Sequence, residues 1–317
     1  MKLLRIDSSG NLMIGTIAIL IASIIIISIF VVTSISLMET DNIDSNSNDN
    51  FKYIIEDYKK NIEQSLHESI SEVAEKVITT KNPVKDSPKE IKKNLEKKLN
   101  EKNKEYYEKY HINIKSEVLN IENTSNPSFV KADVKINAEK GSEKYDSIIT
   151  QQTSIEGLKD PLPFTKCGKS VTFFVLGDRI QYGTSLAEYL DLHGFPEFGQ
   201  GYLGASSPLT IKKCPFDPYT HHGDLLTLKK CLDSGYFHES ADGSCYLCRL
   251  EGKGKCPHYG FEVFITTITN PEIEISISAS DHVVFNDLYP GYAYDAFPGQ
   301  RLFLDSSHRL KYGIRLV

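Results

Sequence analysis

The chain has 317 residues, of which 40% are hydrophobic and 25% are charged, a balance that is ordinary for a globular protein. The net charge is −6, and Lys-rich segments alternate with acidic ones, so the chain lacks the basic face that a nucleic-acid-binding protein needs. All six cysteines lie between Cys167 and Cys256, which points to disulfide or metal chemistry in the C-terminal half.

The segment Leu12–Met38 carries no charge and is longer than the roughly 20 apolar residues that span a bilayer. It is also longer than the apolar core of a secretory signal, which has about 7 to 15 residues. Lys2 and Arg5 precede the segment and acidic residues follow it. The positive-inside rule therefore predicts a single-pass membrane protein with a cytoplasmic leader (residues 1–10), a transmembrane helix (11–38) and an extracytoplasmic part (39–317).

A short charged leader that ends in Gly10, followed by Asn11 and a long apolar helix, resembles the class III signal of archaeal type IV pilin-like proteins. In that family a membrane peptidase cleaves just before the hydrophobic helix, so the resemblance implies processing between Gly10 and Asn11. It also implies pilin-like or cell-envelope partners. Ser9 and Gly15 depart from the usual pattern, and an uncleaved anchor is the alternative interpretation.

A stem domain is predicted at 51–160, after a polar linker at 39–50. Apolar residues recur every three or four positions from Phe51 to about Asn82 and again after the capping box Ser87–Glu90, which predicts two amphipathic helices. Three strand-like runs follow and predict an antiparallel meander: residues 111–119, 130–138 and 144–155. Asn123 begins a glycosylation sequon that is usable only on the extracytoplasmic side.

A head domain is predicted at 161–317, where Gly, Pro, Tyr and Cys become frequent. Two short helices begin at Ser185 and Asp224 and stop at Gly194 and Gly235. Strands are predicted at residues 171–176, 261–269, 273–279, 282–286, 301–304 and 309–317. The predicted fold class is therefore α+β, with a transmembrane helix, a helix-plus-antiparallel-sheet stem and a β-rich, sandwich-like head that contains the cysteines.

The cysteines and histidines of the head support three interpretations. An even number of cysteines in an exported protein favours disulfides among Cys167, Cys214, Cys231, Cys245, Cys248 and Cys256. The knuckle spacing of Cys245 and Cys248 favours a zinc site that Cys256 and His258 complete. An active site could use acid–base and ligand types that are close in sequence, namely His221, His222, Asp224, His238 and Glu239.

Residues 228–264 resemble exported proteins of methanogenic archaea, a resemblance that implies a surface protein and no particular activity. Together these observations predict a membrane-anchored, pilin-like surface protein with a structural or adhesive role, no cofactor and no nucleic-acid partner; they favour a non-enzymatic role but leave enzymatic activity open. The alternative is a surface zinc-binding protein or metalloenzyme that uses the Cys/His cluster.

Overall fold

The computed structural model describes residues 47–168, 174–267, 276–286, 289, 291–305 and 308–314. The chain divides into two compact units, Met1–Glu56 and Asp57–Val317.

The prediction of a transmembrane protein requires correction. In the described part of the chain, no helix has the length and apolar character needed to cross a membrane. The predicted span Leu12–Met38 and the predicted cleavage position between Gly10 and Asn11 both lie outside the described residues. The predicted membrane anchor and the extracytoplasmic location that follows from it are therefore not supported, whereas the glycosylation of Asn123 stays a prediction.

Two long helices begin the described chain, as the sequence predicts. Helix α1 spans Ser47–Thr80 and helix α2 spans Ser87–Tyr110. The apolar stripe of α1 is fully buried in its central turns, as at Ile62 and Leu66. The residue that caps α2 is Asp86, whose side chain accepts from the amide of Lys89, and not the predicted Ser87.

The predicted meander also forms. Strands β1 (Asn113–Asn123), β2 (Phe129–Lys140) and β3 (Glu143–Ser154) pair antiparallel in that order. Alternate residues of β2 are fully buried, as expected for a sheet with one apolar face.

The C-terminal half is built from short elements. Its helices are α3 (Leu162–Cys167), α4 (Ser185–Leu192), α5 (Pro196–Gly199), α6 (Leu225–Ser234), α7 (Tyr246–Leu250), α8 (Asp281–Val284) and α9 (His308–Lys311). Short 3₁₀ helices occupy Gln200–Tyr202 and Tyr219–Gly223. Its strands are β4 (Phe174–Leu176), β5 (Arg179–Gln181), β6 (Ser206–Pro208), β7 (Phe237–Ser240), β8 (Gly260–Thr266), β9 (Ser276–Ser280), β10 (Tyr292–Phe297) and β11 (Gln300–Leu304).

These strands form one mixed sheet, and the sandwich-like arrangement predicted for the head is wrong. The order is β10-β11-β9-β8-β6-β5-β4. Strand β7 pairs with residues 260–263 of β8, which precede the residues that pair with β9. The β11–β9 pair is parallel, whereas the other pairs are antiparallel. The described part of the chain is thus α+β, with a three-stranded and an eight-stranded sheet.

Two predicted strands are helices instead. The predicted strand 282–286 overlaps helix α8, because the buried carboxylate of Asp281 accepts from the amides of His282 and Val263 and turns the chain at the end of β9. The predicted strand 309–317 overlaps α9, in which Leu310 is 70% exposed. Both changes bring a histidine into the interior of the sheet region.

Candidate metal centres

The six cysteines are all free thiols, so the predicted disulfides are wrong. Five of them instead lie with histidines in two groups of four. In each group the potential ligand atoms all lie within 4.8 Å of one another. We call the two groups site A and site B.

Site A consists of Cys214, His222, Cys231 and His238, and all four side chains are buried. Each ligand comes from a different part of the chain. Cys214 lies beside β7, where its amide donates to the carbonyl of Phe237 at 2.8 Å. The 3₁₀ helix Tyr219–Gly223 carries His222, α6 carries Cys231, and β7 carries His238.

The ends of helix α6 are set by its capping residues. Asp224 is the N-cap, and its carboxylate accepts from the amide of Leu226 at 3.2 Å. Gly235 ends the helix with φ +67°, a conformation that favours glycine, and donates its amide to the carbonyl of Cys231 at 2.9 Å. These caps place Cys231 in the last turns of the helix, next to β7.

The distances in site A are close to those of a tetrahedral zinc site. Zn–S of about 2.3 Å and Zn–N of about 2.0–2.1 Å at the tetrahedral angle give about 3.5 Å between sulfur and nitrogen and about 3.3 Å between two nitrogens. Cys214 Sγ lies 3.5 Å from His222 Nε2, and Cys231 Sγ lies 3.0 Å from His238 Nε2. The two Nε2 atoms are 3.1 Å apart.

The second nitrogen of His222 is used in a way that suits a metal ligand. His222 Nδ1 lies 2.7 Å from the carbonyl oxygen of Tyr219, so this nitrogen is the donor and Nε2 is left with a lone pair. Burial lowers the pKa of His238, which keeps its imidazole in the neutral form that binds metals. Both imidazoles therefore direct a basic nitrogen towards the two thiols.

Site B consists of Cys245, Cys248, Cys256 and His258, which is the set predicted from the knuckle spacing. Cys245 is the N-cap of α7, and Cys248 lies within this helix. Both sulfur atoms lie 3.5 Å from His258 Nδ1, which is the distance expected for ligands of one zinc ion. The amide of Cys245 donates to Cys256 Sγ at 3.3 Å, an interaction that favours the thiolate.

Glycine is required where β8 begins beside site B. A Cβ atom on Gly260 would lie 2.4 Å from the amide nitrogen of Cys245, which is closer than real Cβ atoms approach. The close passage of the two backbones holds the loop from Cys248 to Gly260 against the start of α7. Site B is nearer the surface than site A, because His258 is exposed and Cys256 is half-buried.

Each site contains one thiol that is strongly acidic. Hydrogen bonding to the Cys231 thiol lowers the pKa of Cys214 to about 3. Hydrogen bonds from Cys245 and Cys248 likewise hold the pKa of Cys256 well below its usual range. A thiolate, the form of cysteine that binds metal, is thus present in each site at neutral pH.

The sixth cysteine, Cys167, belongs to neither site. It is buried in the apolar cluster around Leu186 and Tyr202, and burial raises the pKa of its thiol well above the usual range. It behaves as a small apolar core residue.

Comparisons of this chain with models of protein families, with curated proteins and with solved structures give no match.

The residues predicted for an active site are divided among unrelated roles. His222 and His238 meet in site A, whereas Asp224 caps a helix and Glu239 pairs with Lys213 at 2.6 Å. The sequence interpretation missed site A as a set. Its intervals of eight, nine and seven residues contain no knuckle, and only the number of Cys and His residues in this segment marks it.

Proposed function

We propose that this is a zinc-binding protein, in which two zinc ions hold together the short elements of the C-terminal half. The observation that carries the proposal is the convergence of eight cysteine and histidine ligands in two separate groups of four. Thiolate and imidazole together are the ligand types that structural zinc sites use.

The zinc ions of this proposal have a structural role. Each site supplies four protein ligands, which completes a tetrahedral coordination sphere and leaves no position for a substrate. Site A would join β7, α6 and the segment between β6 and α6, and site B would close the loop between α7 and β8. Metal binding to such sites contributes about 10–16 kcal/mol in zinc-finger peptides, and this binding free energy becomes folding free energy.

Metal analysis of cysteine variants tests the proposal. We expect the purified full chain to lose about one zinc ion per chain in Cys231→Ser and one in Cys245→Ser, because each substitution removes a thiolate from one site. Cys167→Ala is the matched control, since it removes a buried thiol that belongs to neither site, and its zinc content should equal that of the wild type. Equal zinc contents in all four proteins would overturn the proposal.

A further inference from the structure

A third group of ligand-type side chains lies apart from both thiolate sites. Glu262 is on β8, His282 on α8 and His308 at the start of α9, and all three are buried. Glu262 Oε2 lies 2.9 Å from His282 Nδ1 and 3.3 Å from His308 Nε2. Three elements thus direct one oxygen and two nitrogens to one point in the interior.

The carboxylate of Glu262 is held in a fixed orientation. Its other oxygen, Oε1, accepts from Lys311 Nζ at 2.5 Å and also from the hydroxyl of Tyr312. These two donors occupy the side of the carboxylate that faces away from the histidines. Oε2 therefore remains directed at the two imidazoles.

One carboxylate, that of Asp305, contacts the far side of both imidazoles. Asp305 Oδ2 lies 3.0 Å from His282 Nε2, and Oδ1 accepts from His308 Nδ1. A carboxylate that accepts from the distal nitrogen of a histidine is the arrangement that orients metal-ligating imidazoles. Here a single aspartate does so for two histidines.

This arrangement requires positive charge next to Glu262. When each imidazole donates its distal N–H to Asp305, its proximal nitrogen presents a lone pair to Glu262 Oε2, and two lone pairs repel each other. A proton is one cation that removes the repulsion.

Two protons satisfy the group less well than one metal ion does. The two rings are 4.7 Å apart, so protonating both would bring two buried imidazolium cations together beside the ammonium of Lys311. The hydroxyl of Ser240 lies 2.9 Å from His308 Nε2 and can donate a hydrogen bond to that ring, but it donates none to His282. A single divalent cation binds all three ligand atoms at once.

We infer that Glu262, His282 and His308 bind a divalent transition-metal ion at a third site, which differs from sites A and B in having no thiolate. Two histidines and one glutamate are a ligand set found in metal sites that keep an open position. His308 lines a cleft of about 540 Å³, together with Ser240, Asp242 and Lys311. One of the three proposed ligands thus lines a cleft that is large enough for water or a small ligand.

Zinc is the probe for this site, and the first measurement is the zinc content of the full chain. We expect Glu262→Gln to hold about one zinc ion fewer than the wild type, because glutamine keeps the shape of the side chain but lacks the charge. Glu239→Gln is the matched control. It removes a carboxylate that lines the same cleft but contacts none of the three ligands, and it should keep the wild-type content.

X-ray absorption at the zinc edge gives a second test that needs no variant. The five thiolates of sites A and B, divided among two zinc ions, give 2.5 sulfur ligands per zinc. Divided among three, they give about 1.7. We expect the lower value in the zinc-loaded wild type.

The two experiments separate this inference from the proposal on sites A and B. Loss of zinc in Glu262→Gln together with no sulfur around the zinc of the wild type would support the third site and contradict the thiolate sites. A sulfur number of 2.5 and unchanged zinc in Glu262→Gln would overturn the inference, because the three side chains would then form only a hydrogen-bonded network.

Discussion

Arg249 and Asp160 form a bidentate ion pair that is completely buried. Arg249 Nε lies 2.8 Å from Asp160 Oδ1, and Nη2 lies 2.6 Å from Oδ2. Nη2 also contacts Asp281 Oδ2 at 2.5 Å, so one guanidinium serves two buried carboxylates. Arg249 is the residue after Cys248, and the ion pair therefore fixes helix α7, and with it site B, to the segment that precedes α3 and to the start of α8.

The buried position of Arg249 predicts a large effect of its removal. In Arg249→Met, Asp160 and Asp281 would remain in the interior without their cation, and breaking a buried ion pair on one side costs about 3–5 kcal/mol of unfolding free energy. Arg301→Met is the control, because the Arg301–Asp295 pair is exposed and such pairs contribute about 0–1 kcal/mol. Denaturant unfolding of both zinc-loaded variants measures the difference. Similar losses of unfolding free energy in the two variants would contradict the prediction that the buried pair contributes more than the exposed one.

The different depths of the two thiolate sites predict two phases of zinc release. A chelator reaches the ligands of site B first, because His258 is exposed and Cys256 is half-buried, whereas every ligand of site A is buried. We expect an early and a late phase when a chromogenic chelator is added in excess. Zinc at site A should leave only as the surrounding structure opens.

Single substitutions assign these phases. Cys245→Ser should abolish the early phase and keep the late one, whereas Cys231→Ser should keep the early phase and remove about one zinc ion per chain from the late one. Cys167→Ala, which changes a thiol outside both sites, should leave both phases as in the wild type. Loss of the late phase in Cys245→Ser would show that the depths of the two sites do not control release.

Long-range periodicity explains which elements could be predicted. Helices α1 and α2 repeat their apolar residues over 34 and 24 positions, and strand β2 alternates apolar and polar residues over 12 positions. Each element is therefore long enough for its pattern to repeat several times. Helix α6 is short, but its N-cap residue Asp224 and its C-cap residue Gly235 mark its two ends in the sequence. Helices α8 and α9 have four residues each, and a helix of this length shows no period that distinguishes it from a strand.

Site B could be predicted from local sequence spacing, whereas the other clusters could not. Cys245 and Cys248 are one helical turn apart, so local spacing predicts that they lie together, and their sulfur atoms lie within 4.8 Å of each other and of the ligand atoms of Cys256 and His258. The ligands of site A come from different elements, which tertiary structure alone brings together. Glu262 and His308 are 46 positions apart, and no feature of the sequence near either one indicates the other.

A buried tyrosine predicts a pH dependence of stability. The hydroxyl of Tyr58 donates to Asn103 Oδ1 at 2.6 Å and lies 3.0 Å from Ser116 Oγ, and burial raises the pKa of this tyrosine from 10.0 to about 12. The folded state therefore holds the phenolic proton more tightly than the unfolded state does. The resulting stabilisation is complete below pH 10 and is lost as the pH rises to about 12, and two pKa units correspond to about 2–3 kcal/mol.

The variant Tyr58→Phe isolates this contribution, because phenylalanine has no proton to lose. We expect the unfolding free energy of the wild type to fall more steeply than that of Tyr58→Phe between about pH 10 and pH 12, so the difference between them shrinks by about 2–3 kcal/mol. Tyr107→Phe removes the hydroxyl of an exposed ring and serves as the control, with the pH dependence of the wild type. Urea unfolding at closely spaced pH values measures all three proteins. A constant difference between wild type and Tyr58→Phe across this range would contradict the prediction, because it would mean that the Tyr58 proton is bound equally tightly in the folded and unfolded chains.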